Sequence, residues 1–396
     1  MQYRKGKKAF MNEAEQRLKE RFKKEFYVDY GLIFIVLFLL AFGLVMLYST
    51  SSYEANLELG DSTYYFKHQL AAIGIGVGVM IVLSHFPSYR LLSKFAIPAY
   101  IGSAILLFMV IPFGYTANGA KRWIRILGVS VQPAEVAKIG MIIFLASLIC
   151  KMQKNIVPRK GFWFVMATPL PICIMVYGIT SNLSSAVIIM GIAFLMLFVA
   201  TPGYRRFFLI IGGGVSAVAA VVYAISKASY SSGMNYRFAR VLAWLDPEAY
   251  ASGKGFQTLQ ALYAIGSGGV FGKGLGQSMQ KMGFIPEAQN DMIFSIVCEE
   301  LGLFGAIAVI MMFVLLIWRL MIIANNAPDL FGALLVVGVM GHIAIQVILN
   351  IAVVTNIIPN TGITLPFISY GGSAVLLQLA EIGMVLNVAR NIPLSE

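Results

Sequence analysis

In GFIPEAQNDMIFSIVCEELG, residues 283–302, an aspartate stands where a long polar loop gives way to an apolar helix. Glu287 precedes Asp291, and Glu299 and Glu300 follow about two turns into the helix. Acids inside or beside a membrane-spanning segment are costly unless they face a cavity or a partner. Two roles fit Asp291. It, or Asn290, can cap the helix by accepting orphan backbone N–H bonds, or it can take a proton as a general base.

Three other stretches hold candidate site residues. In GAKRWIRILGVSVQPAEVAKIG, residues 119–140, the cations Lys121, Arg122 and Arg125 lead into a helix started by Pro133, with Gln132 just before it. Glu135 and Lys138 are three apart and share a helix face, either as a self-neutralising buried pair or as part of a site wall. Trp123 is either an interfacial anchor or a contact for a ligand. The second stretch carries Arg237 and Arg240 in YRFARVLAWLDP, then Lys254 and Gln257 in GKGFQTLQALYAIGSGGVFGKGLGQS. Its glycines permit close backbone approach, and with no strand before them they form no nucleotide-binding loop. The third, NIIPNTGITLPFISYGGS at residues 356–373, includes Ser369 and is broken by Pro359, Gly362, Pro366, Gly371 and Gly372. Broken helices at membrane depth line a cavity or are buried in protein. His68, His85 and His342 are too dispersed for a metal site and take ordinary structural roles.

The elements that position these residues are membrane helices. Of 396 residues, 59% are hydrophobic and 12% charged, with mean hydropathy +0.79, which excludes a soluble protein. Ten apolar segments run over about 30–49, 66–84, 95–112, 133–150, 163–180, 184–200, 207–226, 291–318, 330–355 and 366–389. The fold class expected is an all-α polytopic membrane protein. An even number of spans puts both termini on one side, and that side holds about 19 of the 30 basic residues, so it is cytoplasmic. The transmembrane domain then covers 30–390, with a short tail at 391–396. Residues 1–29 are basic and repeat apolar positions every four residues, either as an amphipathic helix on an anionic leaflet or as a disordered tail. Loops 113–132 and 227–290 face outward, and the apolar runs of the longer one predict short packed helices. Cys150, Cys173 and Cys298 have no metal or disulfide spacing.

Together these features describe an outward-facing cavity with a cationic rim and one carboxylate at a loop–helix junction. An anionic lipid-linked substrate fits it, with phosphates among Lys121, Arg122, Lys138, Arg237, Arg240 and Lys254. The carboxylate can act on a sugar hydroxyl. Cations can stabilise a diphosphate leaving group, so no cofactor is required, although a divalent ion can serve in addition.

The sequence resembles the SEDS family (FtsW/RodA/SpoVE) over nearly its whole length. The resemblance rests on DYGLIFIVLFLLAFGLVMLYSTSS, FKHQ, GAKRWIRI, VQPAEVAK and YRFARVLAWLDP, and continues through AIGSGGVFGKGLGQS, IPEAQNDMIFSIVCEELG and TGITLPFISYGGS. It implies a ten-helix peptidoglycan glycosyltransferase that polymerises lipid II outside the bacterial cytoplasmic membrane. It also implies a class B penicillin-binding protein and other divisome proteins as partners, and no nucleic acid. The Asp of the family's PE-x-x-x-D segment matches Asp291, implied to deprotonate the acceptor sugar. The Glu and Lys of its QP-x-E-x-x-K helix match Glu135 and Lys138, implied to line the cavity. Arg237, Arg240, Glu287, Glu300 and Ser369 lie within these motifs, Lys254 and Gln257 between two of them, and with Lys121, Arg122, Trp123 and Gln132 they complete the candidate substrate-binding set. The chain departs from the family at Asn182-Leu183-Ser184-Ser185, where an Asp-Leu-Gly run is usual, and at Asn290, commonly Thr. YSTSS, FKHQ and SMQKMGFIPEA look more like the division branch, acting at the septum, than the elongation branch. Two other readings compete with the enzyme: a transporter that flips the lipid-linked precursor, and a scaffold that recruits and activates the transpeptidase.

Overall fold

A computed structural model of the protein describes residues 28–117, 120–126, 129–226, 236–253 and 255–393. The basic N-terminal segment up to residue 27, read as either an amphipathic helix or a disordered tail, and Lys254 lie outside the described residues. Among the described residues, ten helical spans are long and apolar enough to cross a membrane. They comprise α1 (Tyr30–Leu59), α2 (Tyr64–Ser84) and a third span, Tyr89–Phe113, whose main helix is α3 (Ala96–Phe108). Then come α4 (Pro133–Met152), a fifth span made of α5 (Arg159–Ala167) and α6 (Leu170–Thr180), α7 (Leu183–Ala200) and α8 (Arg205–Ser226). After two short helices, α9 (Tyr236–Leu245) and α10 (Phe256–Gly268), follow α11 (Ile293–Asn325), α12 (Leu330–Val354) and α13 (Gly372–Arg390).

The spans are not equally enclosed. α4, α12 and α13 form the middle of the bundle, whereas the α8 window has 0% of its residues buried. α13 packs closely on α2 because Gly383 lets it approach the Met80 backbone, where a Cβ would come within 2.8 Å of the carbonyl. At the end carrying Arg319 and Asp329, charges are tied in pairs. Asp29 caps α1 and holds Arg319 at 2.8 Å, and Asp329 caps α12 and holds Arg90 at 2.6 Å.

Several boundaries differ from those read in the sequence, with the eighth span running on to Asn325 and the third starting at Tyr89. α1 runs ten residues further, to Leu59, with Thr50 and Ser51 buried and Gly60, in the left-handed conformation, closing the helix through its N–H to Asn56 O. α13 begins at Gly372 rather than near 366, because Phe367 takes φ +62° after Pro366 and Gly371 precedes the first helical turn. The loop after the third span also holds something the sequence reading did not contain. Three antiparallel strands, β1 (Gly114–Ala117), β2 (Ala120–Ile126) and β3 (Val129–Val131), pair in the order β1-β2-β3.

The glycine-rich run after α10 has a definite job. α11 is broken at Gly302 (φ +66°), and the freed backbone pairs with the loop: Lys273 N–H donates to Glu299 O and Gly274 N–H to Glu300 O at 2.9 Å. In return, Leu303 and Phe304 donate to Gly269 and Val270. A Cβ on Gly272 would lie 2.2 Å from Glu300 O, and one on Gly302 would lie 2.3 Å from Gly272 N. Gly302→Ala is therefore expected to cost more than about 2 kcal/mol, combining a left-handed backbone with a backbone clash. Gly212→Ala in α8, with nothing within 4 Å of the new Cβ, is expected to be neutral or stabilising by up to about 1 kcal/mol. Thermal unfolding of the detergent-solubilised variants reads both.

Candidate active site

Asp291 does not cap α11. The helix begins after Met292 with no side-chain cap bond, and Asn290 instead donates its amide to Glu287 Oε2 at 2.8 Å. The loop reaches this point through Glu287, held at φ +51° with its carbonyl accepting from Asn290 N–H. Asp291 is half-buried. A Cβ placed on Gly362 would come 3.8 Å from its Oδ2, so the broken segment before α13 passes directly over the carboxylate. Burial pushes the Asp291 carboxyl up to about 6; the Glu287 charge adds to the rise, and its own backbone N–H and the Arg240 cation oppose it.

A polar stripe on α12 anchors this arrangement. His342, Gln346 and Asn350 recur every four residues and are 2%, 2% and 0% exposed. Asn350 Nδ2 donates to Asp291 O at 2.8 Å and to Ile363 O at 2.7 Å, joining the loop to the broken segment. Gln346 donates to Thr364 O at 3.0 Å. His342 Nδ1 faces Glu381 at 2.9 Å while its Nε2 faces Lys138 Nζ at 3.1 Å. Lys138 carries protons that need acceptors, so His342 donates through Nδ1 to Glu381 and accepts at Nε2. Lys138 also pairs with Glu135 at 2.7 Å and reaches Gln346 Oε1 at 3.4 Å. Its three N–H groups thus each have a partner, and it is 1% exposed.

The residues expected at the site are spread over several places. Arg240, Gln257 and Glu287 gather with Asp291. Arg240 donates to Asn360 O at 3.3 Å, and Gln257 donates to Pro286 O while accepting from Asn360 Nδ2 at 2.9 Å. Glu135 and Lys138 join them through the α12 stripe, with Gln132 at the start of the same helix, making no cap bond. Lys121, Arg122 and Trp123 sit on β2, where Lys121 donates to Ile111 O and Arg122 ties the sheet to Thr180 O and Ser181 O. Arg237 lies on α9, with its side chain outside the described residues.

Glu300 and Ser369 are elsewhere engaged. Glu300 is 0% exposed and bound by Lys281 at 2.7 Å and Ser49 at 2.8 Å. Neighbouring Glu299 pairs with Lys273 at 2.7 Å and accepts from Ser278. Ser369 Oγ accepts from Leu365 N–H at 2.8 Å, and its carbonyl accepts from Gln69, so it braces the broken segment. At the Asn182 departure, the Asn caps α7 through Ser185 N–H, and Ser184 donates to Thr361 O at 3.0 Å. This stretch therefore also holds the segment that covers Asp291.

The sequence reading missed His342, Gln346, Asn350, Asn360 and Glu381. The four-residue spacing of the α12 polar residues was the available signal for three of them.

Known proteins share both this sequence and this fold. A family model described as Cell cycle protein (FtsW/RodA/SpoVE) matches residues 30–393. Stage V sporulation protein E of Bacillus subtilis is 39% identical, covering 91% of this chain and 97% of its own. A protein named probable peptidoglycan glycosyltransferase FtsW, from Trichlorobacter lovleyi, is 38% identical, covering 93% and 94%. Among solved structures, one described as "Structural coordination of polymerization and crosslinking by a peptidoglycan synthase complex" superposes with TM-score 0.76 at 28% identity, covering 93% of this chain and 99% of that one. The rod shape determining protein RodA of Thermus thermophilus superposes at TM-score 0.65 with 27% identity, covering 93% and 98%. With the match extending from the start of α1 past the end of α13, the chain belongs to the FtsW/RodA/SpoVE family.

Proposed function

We propose that this chain is a peptidoglycan glycosyltransferase that polymerises lipid II at the outer face of the bacterial cytoplasmic membrane, with Asp291 as general base. Family membership and the names of its relatives support the reaction class. The observation that carries the residue assignment is the state of Asp291. It neither caps its helix nor forms an ion pair among the contacts described, and it sits at a loop–helix junction with its carboxyl pushed up to about 6. A base poised near neutrality accepts a proton most effectively while still ionised at working pH.

In this reading Asp291 takes the proton of the acceptor GlcNAc 4-hydroxyl. The freed oxygen bonds to the donor MurNAc anomeric carbon, and the bond from that carbon to undecaprenyl diphosphate breaks. Inversion at an α-linked donor yields a β-1,4 link, and the diphosphate leaves with the electron pair. Arg240 stabilises the departing charge, and Lys121, Arg122, Arg237 and Lys254, the cations singled out in the sequence, are proposed to add to it. Lys138 acts from the wall, since its protons are committed to Glu135, His342 and Gln346. Mg²⁺ or Mn²⁺ can accompany the diphosphate. The described residues form no group of three His, Cys, Asp or Glu ligands, so such an ion would draw most of its ligands from the phosphates.

The basic end with both termini is cytoplasmic in this proposal, and a class B penicillin-binding protein cross-links the product. Action at the septum follows the division-like motifs. The similar relatives include both sporulation and FtsW proteins at 39% and 38% identity, so identity alone does not separate these branches.

The test is polymerisation of lipid II by the purified chain with its penicillin-binding partner, the transpeptidase blocked by a β-lactam. Asp291→Asn is expected to slow glycan formation by more than about a hundredfold. Its melting temperature should equal or exceed that of wild type at neutral pH, because ionising a carboxyl of raised pKa costs stability above that pKa. Glycan from Asp291→Asn at the wild-type rate would refute the assignment. In the wall, Lys138→Met strands Glu135 and leaves His342 Nε2 without its donor, and is expected to cost about 3–5 kcal/mol. Adding Glu135→Leu should recover part of that loss in thermal unfolding.

A further inference from the structure

A pocket of about 210 Å³ opens between α9, α10, the Pro286 turn and Asn360. It is smaller than the roughly 300–1,000 Å³ typical of drug-sized ligands, and so has the size of a single ring. Its walls combine two aromatic side chains, Trp244 and Phe256, with two amides, Gln257 and Asn360, and one cation, Arg240. The walls are fixed. Trp244 Nε1 donates to Asn356 O at 3.0 Å, and Asn356 returns a bond to Trp244 O. Gln257 and Asn360 are bonded to each other at 2.9 Å, and Asn360 Oδ1 also accepts from Gly362 N–H at 3.0 Å. Each of the two amides makes only part of its bonds in these contacts, keeping donor and acceptor capacity for a ligand.

We propose that this pocket is the subsite for the N-acetylhexosamine ring that presents its hydroxyl to Asp291. The inference rests on the glycosyltransferase reading and adds the place of the acceptor sugar. Ring faces suit the apolar face of a pyranose, and paired amides suit its hydroxyls and acetamido group. A phosphate subsite would gather several cations or a nest of backbone N–H groups; among the described residues lining this pocket there is one cation, already donating to Asn360 O at 3.3 Å. The pocket and the carboxylate are joined through the Asn360–Gly362 turn, since Gly362 lies against Asp291 Oδ2, and Arg240 bears on both.

The test fills the pocket while leaving Arg240, Gln257 and Asn360 in place. Ala243→Phe enters it from α9 and Thr258→Met from α10, the second serving if the first does not fold. Polymerisation by the complex is measured with two competing probes, N,N′-diacetylchitobiose for the sugar and undecaprenyl diphosphate for the leaving group. In the filled variants the half-inhibiting concentration of the disaccharide is expected to rise about tenfold, that of undecaprenyl diphosphate to change less than about twofold, and KM for lipid II to rise more than kcat falls. Unaltered disaccharide inhibition, no disaccharide inhibition of wild type, or selective loss of diphosphate inhibition would each overturn the inference. A wild type that makes no glycan would be a failure of the glycosyltransferase reading instead.

Discussion

One side-chain amide holds this site together. Asn350 places its two N–H bonds on Asp291 O and Ile363 O, which belong to segments otherwise separated by the whole of α11 and α12. In a bilayer the only tolerable irregular backbone is backbone whose polar groups find partners inside the protein. The segment before α13 meets that demand with side chains rather than helix bonds. Gln346 serves Thr364 O, Gln378 accepts from Phe367 N–H, and Gln69 spans Ser369 O and Gly371 N–H. Four amides from three helices thus replace the missing turns, and the segment they hold is the one covering Asp291.

Charge follows the same logic. Glu299 and Glu300 take Lys273 and Lys281, and Glu135 takes Lys138, which His342 links to Glu381. Buried ions are stable only when paired and further hydrogen-bonded, and these meet both conditions. Asp291 is the exception, held in protein with like charge from Glu287 nearby and only a partial offset from Arg240. Keeping it ionised costs on the order of 2–3 kcal/mol before solvent screening reduces it. With Glu135, Glu299 and Glu300 each bound by a lysine, this carboxylate is left available to a substrate.

Much of the fold was legible because bilayer thickness imposes length and hydrophobicity on each span. The ten spans, the short helices of the long loop and the break before α13 all left local marks in apolar runs, glycines and prolines. Asp291 was visible as an acid at a loop–helix boundary, but its choice between cap and open carboxylate depends on where Met292 and Asn290 turn, which spacing does not encode. Glu300 was equally conspicuous, yet its partner Ser49 is 251 residues away. His342 looked isolated for the same reason, since Lys138 is 204 residues distant. The β-sheet hid in a short loop whose composition reads as an irregular connection. What stayed illegible is contact between remote segments.

The central claim is that Asp291 works as an ionised base with a carboxyl raised by burial, and its pH dependence is the most direct measure. kcat/KM for lipid II polymerisation should be flat above neutrality and fall as pH drops through about 6, because protonation removes the base. The residual rate of Asp291→Asn should show no such limb. A wild-type profile that stays flat down to about pH 4.5, or the same acid limb persisting in Asp291→Asn, would contradict the account.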